Sequence, residues 1–407
     1  MKPRTIFIIL LSISIIDTSV YALVIPTTLK LLHMGIAKNA DTNYEIITML
    51  SPAYLLAVPV FMLCADKWGR KKILTTCLFL TVLGYTTLLL ASITKSMPLV
   101  FLSIVLLDLT SSTLPVILAF VADVTCGRQR TFYFIILALV SLGDMPIIDL
   151  GRYLINNQQH LLINASIITS AALFMGLVNL VLCVKFLPNF SLTHLKQHYR
   201  NMRISLEEIV SATSYVFSVS KARFYLLAFA LFQFAFCLYS RNNFSYFSKV
   251  SQSAGLHNFH TFSLYTYIST VFLLIFVYPK INLYVNDKVV LLFCIFSTIF
   301  GIFLNLSFPV DAWLPWFSSL LIYPAMTLLT PLLWAILSNE TDRWHQGILM
   351  GLIYIISTFV WTISGVLADF FNEISMYFTP LITVAFLLAA IIPLLKAGKK
   401  GNQGYCV

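Results

Sequence analysis

The sequence is short of charge. Only 10% of its 407 residues are Asp, Glu, Lys or Arg, against roughly 25% in soluble domains. A soluble fold of this length needs more charge to cover itself, and a disordered chain needs more to stay solvated. Acids are the scarcer kind, with 16 Asp and Glu against 26 Lys and Arg. Seven cysteines are present, but no pair has metal-ligand spacing, so no metal site is expected. The chain has no nucleotide loop, no nucleophile motif and no inner loop long enough for a catalytic domain. It is therefore not expected to be an enzyme or to hold a cofactor. What it has in abundance is apolar: 59% of its residues are hydrophobic, 33 of them Phe. These numbers describe a polytopic membrane protein.

A helix needs about 20 apolar residues to cross a bilayer core roughly 30 Å thick. Twelve such spans are legible, at 5–25, 44–64, 73–93, 98–121, 132–152, 161–187, 222–243, 259–279, 289–308, 314–337, 347–370 and 377–396. They are twice too long for barrel strands and do not alternate in polarity. The expected class is an all-α integral membrane protein of twelve transmembrane helices in two six-helix halves. The first span, with Lys2 and Arg4 before it and Val20-Tyr21-Ala22 near its end, has some features of a signal peptide. A retained helix fits better, because removing it leaves eleven spans and an unmatched half.

Charge placement sets the orientation. With the N-terminus inside, twenty Lys and Arg fall in inner segments and six in outer ones or near them, as the positive-inside rule requires. The basic excess is thus a topogenic signal, and no nucleic-acid partner is expected. Both termini are expected in the cytosol, in the plasma membrane or an endolysosomal membrane. None of the cysteines lies clearly in an outer loop, so no structural disulfide is expected. The expected organisation is an N-terminal six-helix bundle at 1–187, a cytoplasmic loop at 188–221, a C-terminal bundle at 222–396 and a tail at 397–407. Within the loop, Ile204 to Ile209 reads as a short amphipathic surface helix.

The strongest motif is Ala65-Asp66-Lys67-Trp68-Gly69-Arg70-Lys71-Lys72, between the second and third spans. A loop this tight needs a glycine for its turn, Gly69. Its Asp66 is suited to a helix N-terminus, and its basic residues stay inside. The motif resembles the D-R-x-G-R-R/K signature of the major facilitator superfamily, whose plan is also two six-helix halves. The small residue usual four places before the acid is Met62 here. A second stretch, Ala122-Asp123-Val124-Thr125 continuing to Arg130, Thr131 and Phe132, follows the fourth span. A third, Leu337-Ser338 and then Gln346-Gly347, follows the tenth. Together they resemble solute carrier family 46, best over 119–152 and 320–396. That resemblance implies carriers of organic anions such as folates, often moved with protons. Three family features are missing: His345 stands where Glu is usual, Trp334 where the folate transporter has Arg, and no acid occurs near Ala138. Folate itself is therefore not expected. The resemblance implies that Asp66, Gly69, Arg70, Asp123, Arg130, Gln346 and Gly347 gate or brace and do not touch solute.

Charge within the spans is where function is expected, since an ionisable residue at the bilayer centre costs about 2.5–3.5 kcal/mol on insertion scales. Asp17, Asp108 and Asp144 lie about 15–18 Å into their spans, near the midplane. None has Lys or Arg within four residues, so all three are proton-coupling candidates. Asp17 leads, because Ser14, Asp17, Thr18 and Tyr21 form a polar face. Ser111 and Ser112 share the face of Asp108. Asp144 adjoins Gly143 and Pro146, where a helix bends. In the second half, Arg241 of the seventh span is either an anion contact or a snorkelling outer-end residue. Gln233 shares its face. Tyr323, Thr327, Thr330 and Trp334 line one face of the tenth span, interrupted by Pro324 and Pro331. Tyr21, Ser111, Gln233, Arg241, Tyr323, Thr327 and Trp334 are the solute-cavity candidates. The expected function is secondary active transport of a small organic solute with protons, by alternating access around a midplane site, in a protein that works as a monomer in the lipid bilayer. Two rivals remain open: a receptor or scaffold of transporter fold without flux, and a proton-driven drug antiporter. The antiporter's G-x-x-x-G-P-x-x-G-G pattern is only echoed, at the wrong spacing, by Gly143, Pro146 and Gly151.

Overall fold

The computed structural model describes residues 3–36, 52–110, 112–155, 161–188, 206–253, 259–307, 314–375 and 377–397. Sixteen α-helices occur among them. The first eight are α1 (Pro3–Ile36), α2 (Pro52–Trp68), α3 (Arg70–Thr94), α4 (Met97–Thr110), α5 (Thr113–Val124), α6 (Gly127–Leu142), α7 (Asp144–Ile155) and α8 (Leu161–Phe186). The others are α9 (Leu206–Ser218), α10 (Ser220–Ser253), α11 (Phe259–Phe272), α12 (Tyr278–Tyr284), α13 (Asp287–Ser307), α14 (Leu314–Glu340), α15 (Gln346–Ile374) and α16 (Phe378–Ala397). Eleven stretches of the described residues are long and apolar enough to cross a membrane. The second expected span is not among them, because α2 is described only from Pro52 and is 17 residues long.

Three expected spans are built of two helices each. The fourth is divided between Thr110 and Thr113. The fifth is divided at Gly143, whose N–H reaches only to Val140 O, at 3.0 Å. Pro146 reinforces that break, since it has no N–H for the carbonyl of Leu142. The eighth runs through a π turn, Leu273–Val277, into α12, with Pro279 just beyond. Hydropathy alone does not register these breaks, because averaged over a whole span the few polar residues beside them are outweighed by apolar ones. The seventh span also extends further than expected, as α10 continues to Ser253. Arg241 is therefore well inside a helix; its side chain lies outside the described residues. The expected amphipathic stretch is described only from Leu206, where it opens a longer helix, α9, whose Tyr215 hydroxyl donates to Asp342.

The chain divides into two compact units. The first holds 1–125, 140–213 and 343–352; the second holds 126–139, 214–342 and 353–407. In the first, α1 packs on α7 and α8, and α3 packs on α4 and α8. Its core joins Val20, Val24 and Leu32 of α1 to Tyr85 and Leu88 of α3 and Ala165 and Ala172 of α8. In the second, α10 packs on α16 and α14, and α13 packs on α14. Large apolar side chains such as Phe174, Phe293 and Ile392 point outward, as a lipid-facing surface requires.

Candidate functional site

The three midspan acids all belong to the first unit. Asp17, on α1, lines a narrow crevice with Leu78, Thr81 and Tyr85 of α3 and Gly176 and Asn179 of α8. Asn179 Nδ2 donates to the carbonyl of Ile13 at 3.2 Å. Its Oδ1, the Tyr85 hydroxyl and the Ser14 hydroxyl are all buried without a hydrogen-bond partner among the described residues. Thr113, the first residue of α5, is a hydrogen-bonding neighbour of Asp17. Asp144 lies close enough for its charge to interact with that of Asp17. Its Oδ1 is buried and unpartnered, as is the hydroxyl of Ser141 three residues earlier. The structure thus gathers Asp17 and Asp144 around one polar region. Among the described residues no hydrogen bond or ion pair ties Asp108 to it; Asp108 sits in the last turn of α4, beside the break before α5. Tyr21 is partly exposed, one turn along from Asp17. Ser111 lies outside the described residues, and its neighbour Ser112 is buried with a free hydroxyl. A buried polar atom without a partner costs roughly 1–3 kcal/mol, so such a cluster needs a functional reason.

Tyr85, Asn179, Thr81, Thr113 and Ser141 were not legible as site residues. Asn179 is a lone amide in an otherwise apolar stretch of α8, and that is the one signal the sequence offered.

The second unit carries most of the expected solute residues. On α10, Gln233 Nε2 meets Cys237 Sγ at 3.9 Å, and Gln233 Oε1 is buried and unpartnered. On α14, Tyr323 stands edge-on to Tyr239 of α10, with ring centroids 6.3 Å apart. Trp334 is edge-on to Phe134 of α6 and tilted over Tyr354 of α15, at 6.4 and 6.2 Å. Its indole N–H and the hydroxyl of Thr327 are both buried with no acceptor or donor opposite. Pro331 adds one more unmet group, because it has no N–H for the carbonyl of Thr327. The helix is thus wrapped in apolar and aromatic contacts while several of its polar groups stay unpaired.

The inner-loop residues form two clusters. In the first unit, Gly69 turns the chain at φ +99°, a conformation open to glycine. This brings Arg70 onto two carboxylates, with Nη2 2.5 Å from Asp66 Oδ1 and Nε 2.9 Å from Asp123 Oδ2. The two Asp66 oxygens also accept the N–H groups of Gly347 and Ile348, each at 3.0 Å. A carboxylate therefore caps the N-terminus of α15, where the helix dipole favours negative charge. Burial pushes the Asp66 carboxyl up to about 6, against the pull of Arg70. A Cβ on Gly347 would lie 2.5 and 2.6 Å from the Asp66 oxygens, so the approach needs glycine. One turn on, a Cβ on Gly351 would fall 2.8 Å from Met62. The large Met62 at a usually small position is thus matched by absent bulk on α15. Lys71 donates to the carbonyls of Val184 and Leu187 at the end of α8.

In the second unit, Arg130 Nη1 donates to Ser338 O, Ser338 Oγ and Asn339 Oδ1 at 2.9–3.1 Å. A cation there satisfies carbonyl groups near the C-terminus of α14. Gln346 is buried as the first residue of α15.

Comparison with known proteins adds a lineage. The Major Facilitator Superfamily model matches residues 7–366. A tetracycline resistance protein, class H, from Pasteurella multocida is 28% identical over 129 residues. That match spans 31% of this chain and about a third, 32%, of the relative. The human organic anion transporter MFSD10 (TETRAN) superposes with a TM-score of 0.79 at 14% identity, over 97% of this chain and all of the other. The proton:xylose symporter XylE superposes with a TM-score of 0.69 at 11% identity, over 97% and 94%. At such identities the two structures speak for the fold.

Proposed function

Because the chain belongs to the Major Facilitator Superfamily, we propose that it is a secondary active transporter that carries a small organic solute across the membrane by alternating access, coupled to protons. The observation that carries the coupling is the polar region around Asp17 and Asp144. Its crevice is too narrow for a bulky solute yet sets the Asp17 carboxyl beside a phenol and an amide that have unmet hydrogen bonds among the described residues. Such a place suits a proton. The unpaired groups of Gln233, Thr327 and Trp334, with Tyr323 and the aromatic rings around them, suit a planar solute that brings its own hydrogen bonds. Asp66, Arg70, Asp123, Arg130, Gln346 and Gly347 act on the helix ends and not on the solute.

Within the superfamily we place the chain near solute carrier family 46, on its Ala122-Asp123-Val124-Thr125 and Gln346-Gly347 stretches. That reading favours an organic anion. We place both termini in the cytosol, in the plasma membrane or an endolysosomal membrane. The organisation into bundles at 1–187 and 222–396 belongs to the same proposal.

The tetracycline resistance relative favours a second reading, proton-driven export of a planar drug. Uptake of radiolabelled organic anions, cations, folates and nucleotides into liposomes holding the purified protein tests the proposal. Transport of one class above empty liposomes is expected. Ligand-dependent thermal shifts with no flux would replace the transporter by a receptor. Exchange of tetracycline for protons in opposite directions would favour the export reading.

A further inference from the structure

The second unit contains a cavity of about 550 Å³ that the transport reading does not use. It lies among α10, α13 and α16, and its volume falls within the range of small-molecule sites. Its chemistry is divided. Leu291 and Leu292 of α13 and Leu394 and Leu395 of α16 make aliphatic walls. Lys288, the second residue of α13, and Lys396, the penultimate residue of α16, stand at one end. Both are exposed, and among the described residues neither has an ion-pair partner. Tyr225 of α10 also lines the cavity; its ring is 1% exposed and its hydroxyl has no hydrogen-bond partner.

The surroundings identify the source of the ligand. Leu395 and Ile392 of α16 are 58% and 59% exposed, and Phe293 of α13 is 70% exposed. The cavity is therefore set in the apolar outer surface that faces lipid. In the orientation proposed above, Lys288 and Lys396 also belong to the inner basic segments, at the level of the cytosolic headgroups. A free anion would leave the aliphatic walls unfilled. An uncharged lipid would leave two lysines without a counter-charge. An amphiphile with a phosphate head and acyl chains meets both needs, and basic pockets between helices on the cytosolic side take such head groups.

We propose that this cavity binds an anionic glycerophospholipid of the cytosolic leaflet, with Lys288 and Lys396 on its phosphate and the four leucines along an acyl chain. The site is separate from the solute and proton residues and stands whether or not they act as proposed; only its assignment to the cytosolic leaflet rests on the orientation proposed above.

The test is native mass spectrometry of the full chain in a delipidating detergent, titrated separately with phosphatidylglycerol, phosphatidylcholine and inorganic phosphate. Each basic residue near an anionic surface contributes about fivefold to binding, so phosphatidylglycerol is expected to bind about 25-fold more tightly than phosphatidylcholine. The double variant Lys288→Gln/Lys396→Gln is expected to bring the two lipids level. Its melting temperature without lipid should match the parent's, because both lysines are exposed and unpaired. Tyr225→Phe, which keeps the ring, is expected to weaken phosphatidylglycerol binding by a smaller factor. Equal affinity for the two lipids in the parent protein would overturn the proposal, as would full phosphatidylglycerol binding by the double variant. Inorganic phosphate binding as tightly as phosphatidylglycerol would also overturn it, leaving a site for a free anion.

Discussion

The two units differ in where they keep their charge. The first holds three acids at mid-span, Asp17 within α1 and Asp108 and Asp144 beside helix breaks, with buried polar atoms unpaired among the described residues around Asp17 and Asp144. In the second, Asp287 opens α13 and Glu340 closes α14, while the unpaired groups between are amide, hydroxyl and indole. The inner ends differ in the same sense. The first unit holds the start of α15 with a carboxylate, and the second holds the end of α14 with a guanidinium. Each choice matches the sign of the helix terminus it meets. On the proposed function, the contrast corresponds to a division of labour: proton chemistry in the acid-bearing unit, and solute recognition in the other.

The largest expected effect compares the two inner arginines. Arg70 neutralises two buried carboxylates, so Arg70→Ala should cost about 3–5 kcal/mol. Arg130→Ala removes its hydrogen bonds to Ser338 and Asn339, and should cost at least about 1–3 kcal/mol. Melting temperatures in one detergent would rank them, and the reverse order would break the contrast at the helix ends. A smaller effect separates the interiors. Trp334→Phe removes an N–H that has no protein acceptor, and should raise the solute KM about fivefold with the melting temperature unchanged. Asp144→Asn should do the opposite, lowering the protons moved per solute while KM stays near its parent value. If Trp334→Phe changes the coupling ratio, or Asp144→Asn changes only KM, the division is wrong.

The smallest effect is a pH dependence. The Asp66 carboxyl is raised from its ordinary 3.8 to about 6 by burial. Its folded value lies above its unfolded one, so its contribution to stability is complete below about 3.8 and is lost as pH rises through about 6. The difference in melting temperature between parent and Asp66→Asn should therefore change between pH 4 and 6, roughly, and level off above. A difference that stays constant across that window would contradict the assignment.

Much of the fold was legible because lipid imposes a simple rule on length and hydropathy. The breaks were less so. Gly143 and Pro146 marked one of the three, but nothing around Thr110 to Thr113 marked another. The site divides in the same way. An acid costs so much inside a span that Asp17 and Asp144 announced themselves. Their uncharged neighbours did not, because Tyr85 and Asn179 lie on helices whose pairing with α1 is set by packing and leaves no spacing to read. Asp66 at a tight turn has a helix N-terminus among its natural partners. That the helix begins at Gln346, hundreds of residues on, is a fact of tertiary structure. So is the fit of Met62 against Gly351.

The most direct test of the central claim is proton movement in liposomes with a trapped pH dye, for the parent protein and Asp17→Asn side by side. Solute from the panel should drive a pH change in the parent and none in the variant, with the variant still folded and still binding solute. Solute uptake with no pH change in the parent, or an undiminished pH change in Asp17→Asn, would contradict proton coupling through Asp17.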